Sequence, residues 1–178
     1  MAEMNSNLDI RDINSDEFKE LGSIMVNAYE SLEGFPTPIE QPEYYQMLEN
    51  IGSFTAKPNT RVLVALSSEA KVLGGVVYFS DMSQYGSGGS ATKEKNASGI
   101  RLLAVSTEVH GAGVGKALTQ ACIDLARQSG NDQVILHTTE VMLVAWGMYQ
   151  RLGFKRSPDL DFKQGELSVY GFRYNLES

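Results

Sequence analysis

The chain of 178 residues has a single cysteine, Cys122, and only two histidines, His110 and His137. One cysteine excludes an internal disulfide and any zinc site built from several thiolates, and two histidines leave little for a histidine-rich metal cluster. We therefore expect no metal cofactor and a reducing compartment such as the cytoplasm.

Basic residues are also scarce, because 15 Lys and Arg stand against 22 Asp and Glu, which gives a net charge of −7 at pH 7. Nucleic acids and anionic membranes are bound through clustered Lys and Arg, so neither is expected as a partner. No segment approaches the roughly 20 consecutive apolar residues of a membrane-spanning helix. The polar residues 1–9 lack the basic and apolar regions of a signal peptide.

The length suits one domain with a proper core, and 42% hydrophobic residues are typical of globular proteins. We predict a single domain over residues 1–178. The hydrophobic pattern predicts strands at residues 8–13, 61–66, 72–79, 100–105, 134–136 and 168–176. It predicts helices that begin near Ser15, as an N-cap residue, and near Pro42, Val114 and Val141.

Between these segments, residues 81–99 are rich in Gly and Ser and are interpreted as a long mobile loop. From residue 100 onward, strand and helix alternate twice. That order requires a right-handed crossover and a parallel strand pair. The fold class is therefore an α/β (α+β) domain with a mixed sheet.

A glycine-rich turn, residues 110–116, lies between a buried strand and an amphipathic helix, where unpaired N–H groups and the helix dipole favour an anion. A Walker A loop needs a glycine where His110 stands and a hydroxyl side chain where Ala117 stands. A dinucleotide fingerprint counted from Gly111 needs a glycine where Lys116 stands. Both phosphate-binding motifs therefore fail.

A third pattern matches. Gly113-x-Gly115, behind the apolar residues 102–105, resembles the pyrophosphate loop of the GNAT superfamily of N-acetyltransferases. Residues 145–154, Ala-Trp-Gly-Met-Tyr-Gln-Arg-Leu-Gly-Phe, resemble that superfamily's Ala-x-x-Leu-Tyr-x-x-x-Gly-Phe segment. One helix and one strand separate the two motifs, as in the family. The resemblance extends from about residue 100 to 154 and is diffuse elsewhere.

This resemblance implies a GNAT-like, mostly antiparallel sheet with a parallel pair at strands 4 and 5, flanked by helices. It also implies that acetyl-CoA is the cosubstrate and that its acetyl group passes to an amine. The pantetheine arm would lie along the fourth strand, and the pyrophosphate would meet the glycine-rich turn. The implied binding residues are Leu103, Ala104 and Val105 on the strand, and His110, Gly111, Ala112, Gly113, Val114, Gly115 and Lys116 at the turn. The family usually has Gln or Arg where His110 stands, and often Asn where Met142 stands.

Two residues are predicted to be catalytic. Tyr149 stands at the family's usual tyrosine position, and a phenol of pKa about 10 can protonate a thiolate of pKa about 8.5 if it is well placed. His137 precedes Tyr149 by twelve positions, where some members that acetylate protein N-termini carry a glutamate proposed as the base. An imidazole of pKa near 6.5 could take that role. The alternative is a strand histidine hydrogen-bonded within the sheet.

Other residues have less specific interpretations. Cys122 is expected in the core and Trp146 in helix packing, whereas Phe35, Tyr44 and Tyr45 are either core residues or part of the acceptor pocket. A non-catalytic acyl-CoA-binding sensor is the alternative to an enzyme, and a homodimer is an open possibility.

The acceptor is predicted to be a small-molecule or peptide amine. Polyamines, aminoglycosides, amino acids and protein N-termini all remain candidates. Residues 20–56 contain six glutamates and no Lys or Arg. Because the resemblance assigns much of this segment to acceptor binding, we expect a cationic acceptor, steered by the negative field.

Overall fold

The structure is a computed structural model that describes residues 8–86, 89–109 and 113–176. The strands in this part of the chain are β1 (Asp9–Asp12), β2 (Thr60–Leu66), β3 (Val72–Phe79), β4 (Ala97–Val105), β5 (Gln133–Thr138), β6 (Lys155–Arg156), β7 (Phe162–Gln164) and β8 (Leu167–Asn175). The α-helices are α1 (Phe18–Glu30), α2 (Pro42–Glu49), α3 (Val114–Gln128) and α4 (Leu143–Leu152). The predicted strands and the three helices after α1 are thus found, with ends shifted by a few residues.

The strands form a sheet in the order β1-β2-β3-β4-β5-β8-β6, and β7 pairs with β8. The β4–β5 pair is parallel, and the other pairings between described strands are antiparallel. The predicted mixed sheet with a parallel pair at strands 4 and 5 is confirmed. A parallel pair needs a crossover connection, which α3 provides between β4 and β5.

The two faces of the sheet carry separate hydrophobic clusters, as the alternation of side chains along a strand requires. From β2, Val62 and Val64 pack with α1 and α2 on one face. Leu63 and Ala65 pack with α3 on the other face. Cys122 of α3 is fully buried in this second cluster, which confirms it as a core residue.

Trp146 is a packing residue of α4. Its ring centroid lies 5.3 Å from that of Tyr170 and 5.0 Å from that of Phe172, both on β8. The expected packing role of Trp146 is confirmed. These contacts hold α4 against the sheet, and α4 in turn carries Tyr149.

The N-cap of the first helical segment is Asn14, so the prediction of Ser15 is wrong. The Asn14 backbone N–H donates to a Glu17 carboxylate oxygen at 2.9 Å, and the Glu17 N–H donates to the Asn14 carbonyl. Because these bonds place the N-cap at Asn14, Ser15 is the first residue of a 3-10 turn that leads into α1. α1 ends at Glu30.

Residues 81–99 are more ordered than predicted. Their described part contains 3-10 turns at Met82–Gln84 and Ala91–Lys93, and β4 already begins at Ala97. Tyr85 is fully buried. The prediction of one long loop is wrong for this described part, because buried side chains such as Met82 and Tyr85 pack in the core despite the Gly and Ser content of the segment.

Candidate active site

The parallel pair β4–β5 separates before either strand ends. Pairing runs from Ala97 with Gln133 to Ile100 with Leu136, whereas β4 continues to Val105. A β-bulge lies just beyond this point, where the register between β3 and β4 shifts. Bulges bend a strand away from its neighbour. The second half of β4 therefore presents a backbone edge that β5 does not pair with.

Leu102 is the centre of the bulge. Its φ is +59°, in the left-handed region that leucine rarely adopts. Such conformations cost of order 1–3 kcal/mol and persist where the surrounding packing enforces them, often at functional sites. Leu102 is 6% exposed and packs in the cluster with α1 and α2. Packing thus holds Leu102 in this conformation, close to the point where β4 and β5 separate.

A cavity of about 120 Å³ lies at this separation. Its wall combines residues of β4 and β5 with aromatic rings from several other segments of the chain. The lining rings other than Tyr149 and His137 are Tyr29, Phe35, Tyr44, Tyr85 and Phe162. Of the aromatic trio considered from the sequence, Phe35 and Tyr44 line this cavity, whereas Tyr45 is a core residue whose hydroxyl donates to the Pro36 carbonyl at 2.6 Å.

Tyr149 lies on α4 and lines the cavity. Its ring is 5% exposed and contacts Phe154, with the ring centroids 5.8 Å apart. Its hydroxyl forms no hydrogen bond with any residue that the structure describes. Burial raises the pKa of Tyr149 well above its ordinary value, with a smaller contribution from Cys122. The phenol therefore keeps its proton at neutral pH and has it available for a ligand.

His137 on β5 also lines the cavity, and both of its ring nitrogens have protein partners. Nε2 lies 2.9 Å from the Leu160 carbonyl oxygen, and Nδ1 lies 2.9 Å from the Tyr85 hydroxyl. Since a carbonyl can only accept, Nε2 carries the hydrogen and Nδ1 accepts from Tyr85. Burial is the main cause that lowers the pKa of His137, so the ring is neutral at pH 7. A catalytic role for His137 must therefore act through Tyr85.

The Tyr85 ring packs directly against Gly99 of β4, where no side chain is in its way. A Cβ at Gly99 would lie 2.4 Å from Cδ1 of Tyr85, so only glycine admits the ring at this distance. The Tyr85 ring also packs against Phe79, with centroids 5.6 Å apart. The sequence interpretation missed Tyr85, because a lone tyrosine in a Gly- and Ser-rich segment looks like a loop residue.

Arg101 on β4 is half-buried and lines the cavity. Its Nη1 donates to the Tyr85 carbonyl oxygen at 3.0 Å, and its guanidinium carbon lies 6.0 Å from the centroid of the Tyr85 ring. Among the described lining residues, it is the one that carries a full charge at neutral pH. The sequence signal for this residue is a lone arginine within the otherwise apolar residues 100–105.

Thr139, directly after β5, contributes a hydroxyl with an open hydrogen-bonding capacity. The residue is 4% exposed and lines the cavity. Its Oγ1 is buried and has no hydrogen-bond partner among the described residues. A buried hydroxyl without a partner costs about 1–3 kcal/mol, so this atom is suited to a bound molecule.

The residues implied for acetyl-CoA binding divide into two groups. Leu103, Ala104 and Val105 occupy the half of β4 that does not pair with β5, and the Leu103 carbonyl accepts from the Tyr29 hydroxyl at 3.1 Å. At the turn, Gly113 is the N-cap of α3 with a φ of +74°, which favours glycine.

The first turn of α3 contains the remaining described members of this set: Val114 is buried, Gly115 half-buried and Lys116 exposed. His110, Gly111 and Ala112 lie outside the described residues. The described part of the chain contains no cluster of His, Cys, Asp or Glu that could hold a metal ion.

The sequence pattern of the Acetyltransferase (GNAT) family matches residues 24–154, well over half of the chain. The chain therefore belongs to this family. Human N-acetyltransferase 8B is 36% identical over 80 residues, which cover 43% of this chain and 35% of that protein. Mycothiol acetyltransferase of Salinispora tropica is 43% identical over 58 residues, which cover 32% of this chain and 19% of that protein. The matches thus span about a third or less of these two relatives.

Solved structures share the fold over nearly the whole chain. A GCN5-related N-acetyltransferase from Kribbella flavida superposes with a TM-score of 0.70 at 20% identity, covering 97% of this chain and 99% of that one. YncA from Salmonella typhimurium, solved with its cofactor acetyl-CoA, gives a TM-score of 0.65 at 16% identity, with 97% and 95% coverage. Within the described residues, no helix has the length and apolar character needed to cross a membrane.

Proposed function

We propose that the protein is an N-acetyltransferase that moves an acetyl group directly from acetyl-CoA to an amine. The observation that carries the proposal is the separation of β4 from β5 next to the Tyr149 hydroxyl, which has no protein partner among the described residues. Membership of the GNAT family supports the reaction class. So do the names of the relatives and the acetyl-CoA in the YncA structure.

The residues of this chain fit acetyl-CoA as a substrate. The backbone of Leu103, Ala104 and Val105 is proposed to hydrogen-bond the pantetheine arm as an added strand would. The turn from His110 through Lys116 is proposed to hold the pyrophosphate, with backbone N–H groups at the start of α3 and the charge of Lys116. When bound, acetyl-CoA supplies an acetyl group activated as a thioester.

Different residues of the cavity carry out the two proton transfers of the reaction. A backbone N–H of β4 polarises the thioester carbonyl. The Tyr85 hydroxyl takes a proton from the attacking amine while it passes its own proton to Nδ1 of His137. Tyr149 donates its proton to the departing thiolate. The C–N bond forms, the C–S bond breaks, and solvent carries the proton from His137 back to Tyr149.

The charge of the acceptor is a separate question. All six glutamates of residues 20–56 are exposed, and none of them lines the cavity. They can attract a cation toward this side of the molecule through the long-range field. They do not contact a molecule bound in the cavity, so the predicted cationic acceptor rests on steering alone.

Thiol release from acetyl-CoA in the presence of an amine panel tests the reaction. The panel contains a polyamine, an aminoglycoside, several amino acids and a peptide with a free N-terminus. Amine-dependent thiol release supports the proposal. Thermal stabilisation by CoA without turnover of any amine favours the non-catalytic sensor instead. The absence of both thermal stabilisation and turnover overturns the proposal.

The expected homodimer and cytoplasmic location complete the proposal. Sedimentation of the purified protein tests the first. Fractionation of the cells that produce it tests the second.

A further inference from the structure

Arg101, which lines the cavity, has N–H donors that no described residue accepts. A guanidinium has five N–H donors, and Arg101 uses Nη1 for the Tyr85 carbonyl at 3.0 Å. It forms no other hydrogen bond with a described residue, and no described carboxylate pairs with it. By contrast, Arg11, Arg61, Arg156 and Arg173 each pair with a described Asp or Glu.

The surroundings of Arg101 are apolar enough to make a missing counter-charge matter. Burial raises the pKa of Tyr44 to about 12, and Arg101 partly opposes that rise. Arg101 likewise opposes the larger effect of burial on Tyr29 and Tyr85. These three phenols line the same cavity as Arg101. In a poorly hydrated site, a charge without a partner is costly, and a bound anion of opposite sign is strongly favoured.

We infer, on the basis of the acetyl transfer proposed above, that the acceptor is an amine that also carries a carboxylate and that Arg101 binds this carboxylate. Guanidinium and carboxylate groups match in a planar, two-bond geometry. The aromatic rings of Tyr29, Phe35, Tyr44 and Phe162 offer an apolar surface for the rest of the molecule. The acceptor class is an amino acid, or a small amino-acid derivative, with an apolar side chain.

This inference chooses among the acceptors that the sequence leaves open. Polyamines and aminoglycosides have no carboxylate, and each would place a further positive charge beside Arg101. Such like-charge contact in a poorly hydrated site is unfavourable. The six glutamates of residues 20–56 do not offset this repulsion, because their carboxylates lie outside the cavity.

Matched acceptors test the inference directly. Phenylalanine, phenylalaninamide and phenethylamine share the amine and the ring but differ in the carboxylate, and leucine and methionine with their amides form parallel sets. We expect kcat/KM to be at least about tenfold higher for each acid than for its amide, as for a charge-assisted hydrogen bond. Equal or better use of the amides, or thiol release with spermidine alone, overturns the inference but leaves acetyl transfer intact. If none of the amines supports thiol release, the proposed function itself is overturned.

Variants of Arg101 test the residue. In Arg101→Gln, the preference for acid over amide should fall about 10- to 100-fold, mainly through KM. Arg101→Lys keeps the charge without the planar fork and should retain an intermediate preference. Arg127→Gln is the matched control, because Arg127 is an exposed residue of α3 whose contact, 3.8 Å to Asp124, is on the surface.

Thermal unfolding with and without CoA shows that each variant is folded and still binds CoA. If Arg101→Gln does not fold, Arg101→Lys decides, because its preference for the acid should be smaller than that of the wild type. A preference for acid over amide that survives unchanged in a folded Arg101→Gln protein overturns the role of Arg101.

Discussion

Tyr85 donates its phenolic hydrogen to His137, with the Tyr85 hydroxyl oxygen 2.9 Å from Nδ1. The Leu160 carbonyl accepts from Nε2 of the same ring at 2.9 Å. These two bonds fix one neutral tautomer of the histidine. They also join three separate stretches of chain: the turn after β3, strand β5, and the segment between β6 and β7.

The stability of the protein should depend on pH through His137. Burial lowers the pKa of His137 below its ordinary value near 6.5. Above pH 6.5 the histidine is neutral in both the folded and the unfolded chain, and its stabilising contribution is fully present. As the pH falls below 6.5 and through the lowered value, the unfolded chain binds a proton that the folded chain excludes. The free energy of unfolding therefore falls, by at most about 1.4 kcal/mol per pH unit.

Urea unfolding between pH 5 and 8 measures this slope. His137→Gln should lose the part of the slope that belongs to His137. Tyr85→Phe is the control, because it removes the hydroxyl donor but leaves the imidazole buried, so the slope should persist. Equal slopes for the wild type and His137→Gln would contradict the assignment of a buried neutral histidine.

Tyr149→Phe should separate activity from stability. The hydroxyl has no described protein partner, so its removal should change the free energy of unfolding by less than about 0.5 kcal/mol. Loss of the proposed acid should lower kcat by about 100-fold or more. Tyr174→Phe is the matched control, since Tyr174 also packs on Phe154, at a centroid distance of 5.2 Å, but does not line the cavity. Turnover by Tyr149→Phe at the wild-type rate would remove the acid role.

Gly99→Ala should disturb the site through Tyr85. The added Cβ would meet Cδ1 of Tyr85 at 2.4 Å and the Met82 sulfur at 2.8 Å. We expect a loss of about 1–3 kcal/mol in unfolding free energy, as for other overpacked positions, together with a lower kcat. A double-mutant cycle with Tyr85→Ala measures the coupling, because removal of the ring should make the alanine at position 99 less costly. Strict additivity would show that the Tyr85 ring does not require glycine at this position.

Thr139→Val should stabilise the ligand-free protein. Valine keeps the shape and removes a buried hydroxyl that has no described partner, so unfolding free energy should rise by about 1 kcal/mol. If the hydroxyl binds a substrate, the KM for acetyl-CoA or for the acceptor should rise as well. Thr138→Val is the control, because Thr138 donates to the Met142 sulfur at 3.4 Å and should gain no stability. Lower stability of Thr139→Val would indicate a partner for Oγ1 in the protein itself.

The fold could be predicted in large part from the sequence, because periodicity and turn residues act locally. The hairpin between β2 and β3 and the end of α4 at Gly153, whose φ is +116°, follow from neighbouring residues alone. Tyr149 was predicted from the motif of residues 145–154, most of which lies in α4. In each of these cases the information lies within a few residues of the feature that it specifies.

The rest of the site depends on contacts between distant parts of the chain. Tyr85 and His137 are 52 residues apart, and nothing near either residue indicates the other. The left-handed conformation of Leu102 is likewise imposed by packing, since leucine itself disfavours it. Thr139 becomes informative only when its surroundings show that the hydroxyl has no partner. Local patterns therefore identified the family and one proposed catalytic residue, but not the other residues that shape the cavity.

The half of β4 that does not pair with β5 affects which molecules can associate with the protein. A free strand edge normally invites another polypeptide to pair with it, which leads to aggregation. Here the edge lies inside the sheet, beside β5, and not at its rim. The proposed pantetheine arm has amide groups of its own that could pair with this edge, whereas another polypeptide meets it less readily than an edge at the rim of the sheet.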